Sequence, residues 1–165
     1  MNQQELKELI SYLKTHQLKL TTAESCTAGY IINSLSKISN SGEVLDAGFV
    51  VYSEEAKVKV LGVKQKTIKQ FNLTSEEVAK EMAHGAAKLS NANIVIATTG
   101  IAGSKPIDGI PPGTICFAWL FKKKSEAILF SETVVFSGKR SQKQNSAASY
   151  ALGKIPVYYN QHIQK

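Results

Sequence analysis

The hydrophobic positions of this chain alternate between two spacings. Leu6, Leu9, Ile10 and Leu13 recur every three or four residues, so Gln3–His16 predicts an amphipathic first helix. Leu18–Ala23 reads as a short strand, and Ala28, Ile31, Ile32 and Leu35 then repeat at helical spacing within Cys26–Ile38. Ala47–Tyr52 (AGFVVY) is an unbroken apolar run, as expected of a strand buried on both faces. Ser53 is placed to cap a short helix holding Lys57, and Gly62 to stop it. Residues 63–73 show no period and read as irregular. Thr74 with Glu77 forms a capping box ahead of Val78, Met82, Ala83 and Ala86, the buried stripe of a helix to about Leu89. Asn93–Thr99 is a further buried strand, followed by a Gly- and Pro-rich loop over 104–113. Thr114–Phe121 and Ala127–Phe136 read as an antiparallel hairpin with Lys122–Lys124 at its solvated tip. Ser137–Arg140 opens a last helix to about Lys154, which Pro156 ends or kinks. Alternating strands and helices with a hairpin behind them predict a three-layer α/β/α fold around a mixed sheet, as one domain over residues 1–165.

Composition narrows the class. The 165 residues are 43% hydrophobic and 20% charged, ordinary for a globular protein with a real core. No stretch approaches a membrane span and the first residues lack a signal-peptide pattern, which points to the cytoplasm. Cys26 and Cys116 make neither a disulfide framework nor a metal-ligand spacing, in keeping with a reducing compartment. The net charge of +7 invites a nucleic-acid reading, but the lysines are scattered and no RNA-binding aromatic motif or zinc-knuckle spacing accompanies them. Attraction of a small phosphate-bearing molecule explains the charge equally well.

Three groups at element boundaries carry chemistry: Ser25, Tyr52 and Lys57. Ser25 falls at a strand-to-helix turn, where first-turn backbone N–H groups are unpaired. Tyr52 ends the next strand, and Lys57 lies a turn into the helix after it. Strand C-terminal ends of a parallel sheet share one rim, so neighbouring strands would bring hydroxyl, phenol and amine together. A serine amidase needs a base, oxyanion donors and an acid for the leaving group. Lys57 serves as base if desolvation lowers its pKa, Tyr52 as proton relay or donor, and the N–H groups of Cys26 and Thr27 as oxyanion donors. The competing readings are plain ones: Ser25 as a helix N-cap, Tyr52 as a core residue, Lys57 as a solvated lysine. Cys26 points about 100° away from Ser25 on a helix and reads as packing. Glu24 either orients the turn or binds a polar substrate group. No GxSxG or SxxK pattern surrounds Ser25, and His16, His84 and His162 support no triad.

The blocks TAESCTAG, GFVVYSEEAKVKVLGV, TTGIAG and FSGKR resemble the C-terminal domain of the CinA (competence-damage-inducible) family, which also occurs alone as nicotinamide-nucleotide amidohydrolase. The resemblance runs from the first strand to the last helix. It implies a cofactor-free, metal-independent hydrolase that converts nicotinamide mononucleotide to nicotinic acid mononucleotide and ammonia in NAD salvage. It also implies a catalytic Ser25, Tyr52 and Lys57, and a homodimer. Such a substrate needs its phosphate and ribose anchored. Thr99 and Gly100 offer a hydroxyl and an approachable amide at a strand end, and Gly138 with Arg140 offers a helix start and a guanidinium. The chain departs from the family pattern at Ala28, Ser104, Lys139 and much of 104–113, which bears on substrate preference. The resemblance covers no N-terminal CinA domain, so that domain's pyrophosphatase activity is not expected. Two other classes are a nucleotide-binding module without turnover and, on charge alone, a basic RNA-associated domain.

Overall fold

The computed structural model describes residues 1–123 and 126–163. A five-stranded sheet runs in the order β2-β1-β3-β4-β5, from β1 (Leu20–Glu24), β2 (Leu45–Val50), β3 (Ile94–Gly100), β4 (Thr114–Lys123) and β5 (Glu126–Val135). β1 lies parallel to both β2 and β3, whereas β3–β4 and β4–β5 are antiparallel. Six helices cover it: α1 (Gln3–Thr15), α2 (Tyr30–Ser36), α3 (Glu54–Leu61), α4 (Gln65–Phe71), α5 (Glu76–Lys88) and α6 (Arg140–Tyr158). The expected α/β/α sandwich with a mixed sheet is what forms.

Strand alternation splits the interior into two cores. Phe117, Trp119 and Phe121 project from β4 onto the layer of α1, α2 and α6. Cys116, Ala118 and Leu120 project the other way, onto α3, α4 and α5. The chain leaves β1 through α2 on one face and returns from β2 to β3 through α3–α5 on the other. β1 is therefore a topological switch point, and the crevice beyond its C-terminal end is where open α/β sheets bind ligands.

Several expectations are corrected. The first four residues of the expected Cys26–Ile38 helix form a turn, and α2 begins only at Tyr30 because Ala28 (φ +51°) and Gly29 (φ +89°) are left-handed. β2 is half-exposed rather than buried on both faces, because it is an edge strand, and it ends before Tyr52. Residues 63–73 include α4, which has one buried residue, Ile68. Its support is tertiary: Glu81 of α5 accepts from Lys64 N (2.7 Å) and Thr67 Oγ1 (2.8 Å). Ser75, not Thr74, caps α5, accepting from Val78 N. Lys122 still belongs to β4, and its ammonium donates to the carbonyls of Ala87 and Ser90 at the end of α5. The hairpin tip at 124–125 lies outside the described residues. Of the two outcomes expected at Pro156, an end to the helix is not found: the residue lies inside α6, which runs to Tyr158. The helix tolerates the missing N–H because Leu152 and Ile155 beside it are buried in the core.

α3, which carries Lys57, packs its last turn on α5 at Gly85. A Cβ at Gly85 would sit 1.9 Å from the Leu61 carbonyl oxygen. Alanine gains about 1 kcal/mol over glycine in an open helix, but forced overlap with backbone costs about 1–3 kcal/mol. Overlap wins here. Gly85→Ala is expected to lower stability by up to about 2 kcal/mol in a denaturant titration; an increase would show that α3 moves aside freely.

Candidate active site

Past its last paired residue, β1 extends its ladder by one step on each side. Ser25 N donates to Thr98 O (3.0 Å) and Val51 N donates to Glu24 O (2.9 Å). These bonds lock Ser25 between the ends of β2 and β3. Ser25 is buried, and its Oγ lies 2.9 Å from Nζ of Lys57, itself only 2% exposed. Lys57 reaches it from α3, whose start is fixed by Ser53 Oγ accepting from Ala56 N and whose end is fixed by Gly62 at φ +68°. The expected caps of this helix are both in place.

The rest of the lysine's surroundings is oxygen. Nζ donates to Val51 O (3.0 Å) and Tyr52 O (3.1 Å). Burial pushes the Lys57 pKa below its ordinary 10.5, against the smaller opposing influences of Cys26 and Glu54. A neutral amine has two N–H donors and one lone pair. The two carbonyls can only accept, so they occupy both donors, and the lone pair then faces the Ser25 hydroxyl. The shell suits a base.

Tyr52 is placed differently from the expectation. Its backbone carbonyl holds Lys57, while its side chain, 57% exposed, accepts a hydrogen bond from the Arg140 guanidinium. No hydrogen bond joins the phenol to Ser25 or Lys57, because β2 ends at Val50 and the following turn sends the ring outward. The pair Tyr52–Arg140 instead forms part of the rim of a cavity of about 250 Å³. Ser25, Cys26 and Lys57 line that cavity, together with the β3 end (Thr99, Gly100) and the apolar Leu73, Ile101, Ile107 and Ile110.

The other expected residues divide. Thr99 and Gly100 do line the cavity, but Thr99 Oγ1 already donates to Leu73 O (2.8 Å). Arg140 lines it; Gly138 does not, and its φ of +102° marks the turn into α6. Thr27 is buried, and its hydroxyl shares a hydrogen bond of 2.7 Å with that of Thr98. Cys26 is also buried, and burial raises its thiol to about 12, so it is not a thiolate nucleophile. Ser25 is not an N-cap of α2, which starts five residues later. Glu24 takes that role from the strand: fully buried, it accepts from the N–H groups of Gly29 (2.9 Å), Ile31 (3.1 Å) and Ile32 (3.0 Å). Both of its oxygens accept from backbone, which is the turn-orienting alternative of the two expected for it. Among the described residues, no backbone carbonyl accepts from the N–H of Cys26 or Thr27, while Ala28 N is taken by Ser25 O (3.1 Å).

Sequence spacing missed what braces these turns. Lys143 and Gln144 are buried on the first turns of α6. Lys143 Nζ donates to Gly103 O (2.7 Å) and Gln144 Nε2 to Cys26 O (2.9 Å). With Arg140 they follow i, i+3, i+4 spacing, so one helical face holds the Tyr52, Gly103 and Cys26 segments together. The one available signal was two polar residues at core-facing positions of a helix.

An α/β/α protein with a serine hydrogen-bonded to a desolvated lysine, at the switch point of its sheet, defines the class. The CinA C-terminal domain family model matches residues 2–157, and the chain belongs to this family. It is 39% identical over 143 residues to nicotinamide-nucleotide amidohydrolase PncC of Shigella flexneri, covering 85% of this chain and 84% of that protein. It is 36% identical to protein YdeJ of Escherichia coli K12, over 84% of this chain and 79% of YdeJ. It is 40% identical to a putative competence-damage inducible protein of Caldicellulosiruptor saccharolyticus, of which it spans 36% while matching over 92% of its own length. In three dimensions it superposes on a competence damage-inducible protein from Klebsiella pneumoniae with a TM-score of 0.89 at 32% identity, covering 98% of this chain and 99% of the other.

Removing the Glu24 charge tests its structural role. Glu24→Gln turns an amide toward backbone donors and is expected to cost about 2–3 kcal/mol. Ligand affinity should be unchanged. A variant with full thermal stability and weakened ligand binding would return Glu24 to the binding surface.

Proposed function

We propose that this protein is an amidohydrolase that deamidates nicotinamide mononucleotide, yielding nicotinic acid mononucleotide and ammonia for NAD salvage. One observation carries the reading: the Ser25 hydroxyl lies 2.9 Å from a buried lysine amine whose other partners are acceptors only. The kinship to an amidohydrolase of nicotinamide nucleotides supplies the substrate class. A cavity of about 250 Å³ suits a mononucleotide whose ring enters and whose phosphate stays at the rim. The buried, unpaired cysteines agree with a cytoplasmic setting.

In this reading neutral Lys57 removes the hydroxyl proton as Ser25 Oγ forms a bond to the carboxamide carbon. The N–H groups of Cys26 and Thr27 are the donors for the resulting oxyanion, each oriented by a carbonyl bond on its own peptide unit: Ser25 O to Ala28 N and Cys26 O to Gln144. Lys57 then returns the proton to the amide nitrogen, the C–N bond breaks and ammonia leaves. Water attacks the serine ester by the reverse use of the same base, and the carboxylate is released. Tyr52 acts through its carbonyl, which holds the amine, and through its phenol, which seats Arg140 for the phosphate.

Ammonia release from nicotinamide mononucleotide is the decisive measurement. Ser25→Ala is expected to lower kcat by about 10⁴-fold or more, and Lys57→Ala by about 10²–10⁴-fold. The double variant should be no worse than Ser25→Ala, because the pair acts as a unit. Nucleotide binding by the wild type without any ammonia would favour a binding module instead.

The pH dependence has a fixed sign. Lys57 works when deprotonated, so kcat/KM should rise with pH through a midpoint below 10.5, the direction in which burial moves this amine. The rising limb should disappear from the residual activity of Lys57→Ala. An unchanged limb in that variant would assign the base elsewhere.

A further inference from the structure

We propose that Asp108 makes the cavity select a ligand with a positively charged ring, resting on the reading of this site as one for a pyridine mononucleotide. The ionic groups of the cavity wall are few: Lys57 on its floor, Arg140 at its rim, and Asp108. Lys57 acts as a neutral base, so the working charges are one guanidinium and one carboxylate. Among the described residues neither Asp108 nor Arg140 belongs to an ion pair. A carboxylate in the wall of a phosphate-binding cavity opposes a ligand that is only anionic. It is compensated when the ligand also carries a cation, and an N-ribosylated pyridinium is such a ligand, with a fixed positive ring and a negative phosphate.

The backbone fixes where this exposed acid sits on the cavity wall. Asp108 (φ +52°) and Gly109 (φ +76°) are both left-handed, the pattern of a tight two-residue hairpin turn. The turn is closed by Ile107 N to Ile110 O (3.2 Å) and Ile110 N to Ile107 O (2.9 Å). Ile107 and Ile110 flank the acid and also line the cavity, so an apolar wall for a flat ring and a negative group come from one rigid turn.

The test is a binding comparison in the Ser25→Ala background, which removes turnover. Nicotinamide mononucleotide and its dihydro form share carboxamide, ribose and phosphate; only the first has a charged ring. Calorimetry should show the charged ring bound about fivefold more tightly, as one partly exposed charge pair allows. Adding Asp108→Asn should close that gap by weakening the charged ligand alone. Asparagine tolerates the left-handed backbone, so the turn is retained. An undiminished gap in the Asn variant, or equal weakening of both ligands, would overturn the proposal. Binding of neither nucleotide would overturn it together with the assignment of this cavity. Charge-selective binding without ammonia release from wild type would instead sink the amidohydrolase reading and leave the selectivity standing.

Discussion

The amine of Lys57 has exchanged water for three oxygens, and the surrounding structure is arranged to make that exchange tolerable. Desolvating an ammonium is costly unless hydrogen bonds replace its hydration. Here the carbonyls of Val51 and Tyr52 and the hydroxyl of Ser25 replace it. The residual penalty on the charged form is what drives the amine toward neutrality. Burial therefore acts in two ways at this residue: it disfavours the protonated fold as pH falls, and it moves the amine toward the neutral form that could accept a proton.

That shell requires three chain segments to meet within hydrogen-bonding distance. The β1 end brings the hydroxyl, the β2 end the carbonyls and α3 the amine. Parallel pairing of β1 with β2 sets the first two side by side, and the Leu61–Gly85 contact seats α3 on α5. The crossovers from β1 to β2 and from β2 to β3 lie on opposite faces of the sheet, and the cavity opens at the end of β1 between them.

α6 serves the site although it contributes no reacting group. Arg140, Lys143 and Gln144 each anchor a different cavity-forming segment. Its far end is fixed in the core through Trp119 Nε1 donating to Ala151 O. A rigid helix so anchored can hold strained neighbours, and the left-handed Ala28 close to Ser25 is one. Glu24 shares that work from below by gathering three N–H groups of α2 onto a single carboxylate. A carboxylate competes better for those donors than a serine hydroxyl does, which releases Ser25 from capping and leaves its oxygen for Lys57.

Local chemistry decided much of this protein. Ser53 and Gly62 bound α3 through nearest-neighbour hydrogen bonds and backbone preference, the 2- and 3.6-residue periods mark the strands and long helices, and the meeting of Ser25 with Lys57 follows from adjacent parallel strands. Tertiary contacts decided what sequence spacing does not encode. α4 exists because Glu81 caps it from another helix. Glu24 became a cap rather than a ligand contact because two left-handed residues turned α2 onto it. Tyr52 sends its ring outward because β2, an edge strand, ends before it, so its carbonyl rather than its phenol reaches the amine. For α4 the deciding partner lies on another helix, whereas Glu24 and Tyr52 find theirs within eight residues; there the turns, set by left-handed residues and by the end of an edge strand, decide which atoms come within hydrogen-bonding distance.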